Sequence, residues 1–111
     1  MQEERRVIVA SEQGISIRSV KDIPDAIGAC FGAEGIIFLE GDLGPEFFVL
    51  RNGLAGEVLQ KFSNYRLRVA IVLPNPEVHG DRVKELAYEH RSHNMIRFVR
   101  SREEAETWLR A

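Results

Sequence analysis

The sequence predicts an α/β domain: a mixed, mainly parallel sheet with helices packed on it. Three observations carry this. Two continuous apolar runs, residues 36–39 (IIFL) and 67–73 (LRVAIVL), read as strands covered on both faces. The stretches between and after them place apolar residues at helical spacing. Strand and helix signals then alternate, which demands crossover connections and parallel pairing. The expected order is β-β-α-β-α-β-α-β-α. The 111 residues suffice for one core, so residues 1–111 are expected to form a single domain.

Taken in order, residues 6–10 (RVIVA) and 14–18 (GISIR) flank Ser11-Glu12-Gln13 and predict an antiparallel hairpin. Asp22 is the expected N-cap of the first helix, with Pro24 in its first turn and Asp25 near the positive end of the dipole. Ile23, Ala26, Ile27, Cys30 and Phe31 share one stripe, and residues 32–35 (GAEG) end the helix. In the second helix Leu54, Val58 and Phe62 face one way, while Glu57, Lys61 and Asn64 face the other. Glu57 and Lys61 form a favoured i, i+4 pair.

Pro74-Asn75-Pro76 forces a loop after the second apolar run. A third helix is expected from Asp81, burying Val83, Leu86, Ala87 and His90. A turn at residues 92–94 leads to a strand over residues 95–99. Ser101 with Glu104 reads as a capping box, and behind it Ala105, Trp108 and Leu109 form the buried stripe of the last helix.

Formal net charge is -2 and the isoelectric point about 5.9, so there is no general electrostatic drive toward nucleic acid or an anionic bilayer. Neither is expected as a partner. Cys30 is the sole cysteine, which excludes an internal disulfide and a clustered-cysteine zinc site. The first residues (MQEERRVIVASEQ) contain no sustained apolar segment, and no run is long enough to span a bilayer. A reducing, cytoplasmic compartment is the expectation.

At FFVLRNGLAGEVLQKFSNYRLRVAIV the chain resembles a bacterial family of domains of unknown function, number 4180. The likeness rests on Phe47-Phe48, Gly53-Leu54-Ala55-Gly56-Glu57, Leu59-Gln60-Lys61-Phe62, Asn64-Tyr65 and Ala70-Ile71-Val72. It extends through Glu103-Glu104-Ala105 and Trp108-Leu109 and so spans nearly the whole chain. It implies no particular activity. In topology, more than in residues, the chain is also similar to STAS domains, which include the anti-sigma-factor antagonists. Those carry a Ser or Thr before Gly-Leu at the mouth of the second helix, phosphorylated to switch partner binding. The matching string here is Arg51-Asn52-Gly53-Leu54. Asn52 has no hydroxyl, so the resemblance implies a constitutive copy or one that answers to another signal.

Asn52 is expected at the N-cap of the second helix, accepting a free amide of the first turn. Around that entrance Glu46, Arg51, Asn52, Gly53, Glu57 and Lys61 are the candidate partner-binding residues. Gly53 and Gly56 lack the lysine and hydroxyl of a phosphate loop, and close helix–sheet packing is the expected reason for both. Glu40 and Asp42 follow a strand end, where α/β folds keep working carboxylates, but no further acidic partner accompanies them. His79, His90 and His93 supply no convincing third metal ligand. Cys30 lies on an apolar stripe and reads as inert core. Arg97, Arg100 and Arg102 are diluted by Glu103, Glu104 and Glu106.

No catalytic residue, cofactor or metal is therefore assigned. The function read from the sequence is a non-catalytic regulatory or protein-interaction module with a protein partner. Exposed edge strands would allow homo-oligomers through strand pairing. The alternative is a small-molecule-binding or weakly enzymatic domain with a pocket near Phe47, Phe48, Glu40 and Asp42. A deep pocket with convergent polar groups separates that reading from a filled contact surface.

Overall fold

The computed structural model describes residues 6–111, which build four parallel strands in chain order. These are β1 (Val7–Val9), β2 (Gly35–Leu39), β3 (Arg68–Val72) and β4 (Ile96–Val99). Ile8 pairs with Ile36, Ile36 with Val69, and Ile71 with Phe98. Between and after them run α1 (Ile23–Ala29), α2 (Leu54–Asn64), α3 (Asp81–Glu89) and α4 (Arg102–Arg110). The α/β class, the parallel pairing and all four expected helices are present.

Because every crossover steps the same way along the sheet, a common handedness places α1, α2 and α3 on one face. Strand side chains alternate between faces with period two. Ile8, Ile36, Phe38, Val69, Ile71 and Phe98 thus join Ala26, Val58, Phe62 and Val83 in the larger core. Their neighbours Val9, Ile37, Ala70, Val72 and Val99 join Ala105 and Leu109 of α4 on the opposite face. Full coverage explains why residues 36–38 and 69–71 are apolar without a break.

The expected hairpin does not form. After β1 the chain enters a 3-10 turn over Ala10–Gln13, closed by Gly14 at φ 68°. Ile17 then makes one parallel bridge to Leu43, donating to the Asp42 carbonyl at 2.9 Å and accepting from Gly44. The alternation in residues 14–18 reflects a fully buried Ile17 plugging the core, not a strand paired with β1. The sheet is consequently all-parallel with four strands.

Three smaller expectations also change. Phe31 is 90% exposed, because α1 ends at Ala29 and the following turn takes Phe31 off the helical stripe. Gly53 and Gly56 are not sites of close packing: a Cβ on either would meet nothing within 4 Å. The tight approach lies at Gly35, where a Cβ would sit 2.8 Å from Leu109 Cδ2 and 3.2 Å from the Arg68 carbonyl. Glu57 and Lys61 are absent from the ion pairs formed among the described residues, as water competes well for exposed charges.

The three C-terminal arginines are separated rather than clustered. Arg97 and Arg68 cover the Trp108 ring at 4.7 and 4.6 Å, and Arg68 also donates to the Trp108 carbonyl at the end of α4. Arg100 instead donates to the Pro74 carbonyl, and Arg102 pairs with Glu12 and Glu106. The β4 edge is blunted: Phe98 N–H donates to the His90 carbonyl, and the amides of Met95 and Ile96 donate to His93 Nδ1. Among the described residues no helix is long and apolar enough to cross a membrane.

Candidate functional site: the mouth of the second helix

Where β2 leaves the sheet, the chain makes three successive 3-10 turns before entering α2: Glu40–Asp42, Pro45–Phe48 and Leu50–Asn52. Each is anchored by a side chain from within. Asp42, only 8% exposed, accepts the Leu39 amide at 2.8 Å, so its carboxylate secures the first turn. Phe47 is buried under the second turn, edge-on to Phe48 with centroids 5.4 Å apart. Asn52 ties the third turn to the second and to the helix.

That tie uses both ends of the amide. Asn52 Nδ2 donates to the Glu46 carbonyl at 2.9 Å and to Glu46 Oε2 at 3.2 Å. Oδ1 accepts the Leu54 amide at 2.9 Å. Asn52 therefore serves a first-turn amide as expected, but from one position earlier: the N-cap is Gly53, at φ 85°. The left-handed backbone there suits glycine, which explains the residue that packing did not.

Glu46, Arg51, Asn52 and Gly53 are exposed together around this entrance. Glu57 lies one turn into α2, its amide donating to the Gly53 carbonyl. Lys61 is a further turn along, about 10 Å from the helix start at 1.5 Å per residue. The mouth thus gathers the first four closely, with Glu57 at its margin and Lys61 outside.

His79, which the sequence offers only as a weak metal ligand, holds a central place in the structure. Its ring stacks on Phe48 with centroids 3.7 Å apart and planes 7° from parallel. Nε2 lies 2.5 Å from Glu40 Oε2. Glu40 and the turn Pro76–His79 follow adjacent parallel strands, so their neighbourhood was inferable from topology. The stack was not, because it depends on how both loops fold back over the sheet end.

The remaining candidates are occupied structurally. His90 Nδ1 lies 3.0 Å from the Leu86 carbonyl, and His93 caps the two amides entering β4. Cys30 is 2% exposed, and burial pushes its thiol up to about 11. A protonated, enclosed thiol has little nucleophilic character. Among the described residues no group of three or more His, Cys, Asp or Glu side chains is placed to hold a metal ion.

A groove of about 730 Å³ lies elsewhere, between α3 and the end of β4. Leu73, Ala87 and Phe98 contribute apolar lining, with Asp81, Lys84 and Arg91 among its charged residues. Phe47, Phe48, Glu40 and Asp42 do not line it.

Residues 2–109 match the family described as Domain of unknown function (DUF4180), and the chain belongs to it. No curated protein and no solved structure matches the chain.

Proposed function

We propose that the chain is a non-catalytic regulatory module whose protein-binding surface is the mouth of α2. The observation that carries this reading is the Phe48–His79 stack, pinned by Glu40, which engages two of the four residues that a ligand pocket there would use. A closed, anchored surface suits recognition by shape and charge. Val49 and Val78, next in sequence to the stacked residues, are 38% and 70% exposed. Exposed apolar residues beside the stack, with the charged Glu46 and Arg51 at the same entrance, are the mixture of apolar and polar surface that protein interfaces use.

The likeness to STAS domains supports the same region, through the alternation of parallel strands and helices and the Asn52-Gly53-Leu54 entrance. With the hairpin missing, that likeness rests on the alternation and on this entrance. Lacking a hydroxyl at position 52, the module is not switched by phosphorylation there, and is either constitutive or answers to another signal. A cytoplasmic setting belongs to the same proposal. The alternative of a ligand pocket is weakened because Phe47 is buried and the Asp42 carboxylate already serves the Leu39 amide.

The test is affinity capture from native lysate with the parent and with an Arg51→Glu, Val78→Ser variant, both side chains being exposed. Equal melting temperatures would establish that both fold. A defined protein retained by the parent and lost by the variant supports the mouth as the contact surface. Identical captures, or a small molecule copurifying equally with both, reject it.

A further inference from the structure

The Asn52-Gly53 pair carries a chemical liability that the fold restrains. An asparagine amide is most open to attack from the following backbone nitrogen when that residue is glycine, which has no side chain to hinder approach. Here the fold itself requires the pair. Residue 53 sits at φ 85°, where a Cβ would be strained, and residue 52 must both accept from Leu54 and donate to Glu46. Both residues are exposed to solvent.

We propose that Asn52 is a site of spontaneous deamidation whose rate is set by the clasp from Glu46. In the reaction the Gly53 amide nitrogen loses its proton and attacks Cγ of Asn52. The N–Cγ bond forms, the Cγ–Nδ2 bond breaks, and the side-chain nitrogen leaves as ammonia. Water then opens the cyclic imide at either carbonyl, giving aspartate or isoaspartate. The balance is one water consumed and one ammonia released, with no oxidation or reduction.

The native arrangement opposes each part of this. Gly53 N–H, the incipient nucleophile, donates to the Leu50 carbonyl at 3.2 Å, and Asn52 N–H donates to the Val49 carbonyl at 3.0 Å. The leaving nitrogen is held by the two Glu46 oxygens and Oδ1 by Leu54. Attack requires the 3-10 turn over Leu50–Asn52 to open and the amide to rotate away from Glu46. Reaction therefore proceeds from the fraction of molecules in which this segment is open.

The product cannot re-form the clasp. A carboxylate at position 52 has no hydrogens for Glu46 and would face the Glu46 carboxylate at the 3.2 Å now spanned by a hydrogen bond. In the aspartate product acceptance from Leu54 survives, so α2 keeps that contact while the turn Pro45–Phe48 loses its tie; in isoaspartate the main chain is one methylene longer and both contacts are lost. This chemistry stands whatever the mouth binds.

The test is peptide mapping by mass spectrometry after timed incubation at mildly alkaline pH, using the folded parent, folded Glu46→Ala and Glu46→Gln variants, and the urea-unfolded parent. Asn64, Asn75 and Asn94, followed by Tyr65, Pro76 and Met95, are controls within the same chain. Conversion at Asn52 should be slowest in the folded parent and fastest in the unfolded chain, yielding both aspartate and isoaspartate. Glu46→Ala should speed it about fivefold, the factor one hydrogen bond of ~1 kcal/mol controls, and Glu46→Gln should restore most of the protection. Should Glu46→Ala unfold, the ratio of folded to unfolded parent rates and the Glu46→Gln variant still decide. Equal rates in folded and unfolded parent, a Glu46→Gln rate equal to that of the unfolded chain, or a folded Glu46→Ala rate equal to the parent's would overturn the proposal.

Discussion

His79 lies flat against Phe48, 3.7 Å between ring centroids, with its Nε2 turned to Glu40 Oε2. The contact joins the loop after β2 to the loop after β3, two segments that the sheet brings close but does not itself connect. Truncation by His79→Ala removes both the stack and the charge-assisted bond. It should lower stability by about 1–2 kcal/mol, measured by urea denaturation. Faster hydrogen exchange should be confined to residues 40–53 and 74–80; loosening spread evenly through the sheet would contradict the local bridging role.

Gly56 and Gly35 should respond in opposite directions to alanine. Gly56 is exposed within α2 with open space around its missing Cβ, so Gly56→Ala should stabilise by about 0.5–1 kcal/mol. Gly35 faces Leu109 and the Arg68 carbonyl, one a side chain and the other backbone that cannot turn away. Gly35→Ala should destabilise by about 1–3 kcal/mol. Parallel thermal melts of the two variants provide the comparison, and a Gly35→Ala variant as stable as the parent or more so would refute the packing described for β2 against α4.

Asn52→Ala removes the tie between the turn over residues 45–48 and the start of α2. A loss of about 1 kcal/mol is expected, in the range for a deleted helix cap. Asn52→Ser should lose less, since a hydroxyl can still accept the Leu54 amide but is too short to reach Glu46 as the amide does. Equilibrium unfolding should therefore rank the parent first, Ser second and Ala last.

Cys30 should react with thiol reagents only when α1 opens, because burial keeps the thiol protonated well above neutrality. Its raised value, about 11 against an ordinary 9.0, also fixes a pH dependence. Between those values the folded chain holds a proton that the unfolded chain releases, so the stability associated with this group is whole below pH 9 and declines as pH rises toward 11. Cys30→Ala should flatten that alkaline decline. An unchanged slope would show that other groups cause it.

Much of the mouth was readable from local chemistry. Asn52 next to Gly53 announces a helix entrance, and Leu54, Val58 and Phe62 announce the side of α2 that is buried. His79 was missed because its partners, Phe48 and Glu40, stand 31 and 39 residues earlier, and no periodicity links positions so far apart. Residues 14–18 misled for a related reason. Alternating Ile15 and Ile17 is as good a description of a strand as of a segment that drives one side chain into a core. Only the location of partner carbonyls and amides, at Asp42 and Gly44 instead of β1, separates the two.

Periodicity and punctuation alone determined the α/β class, the position of the four helices and the covered interior of β2 and β3, since burial on both faces and helical stripes are written locally in the chain. Tertiary structure decided what depends on distant segments meeting: the all-parallel order, the role of Ile17, the exposure of Phe31, the tight fit at Gly35 and the Phe48–His79–Glu40 bridge. Those outcomes come from which backbone groups and rings find one another after collapse, a competition among distant partners that residue order does not rank.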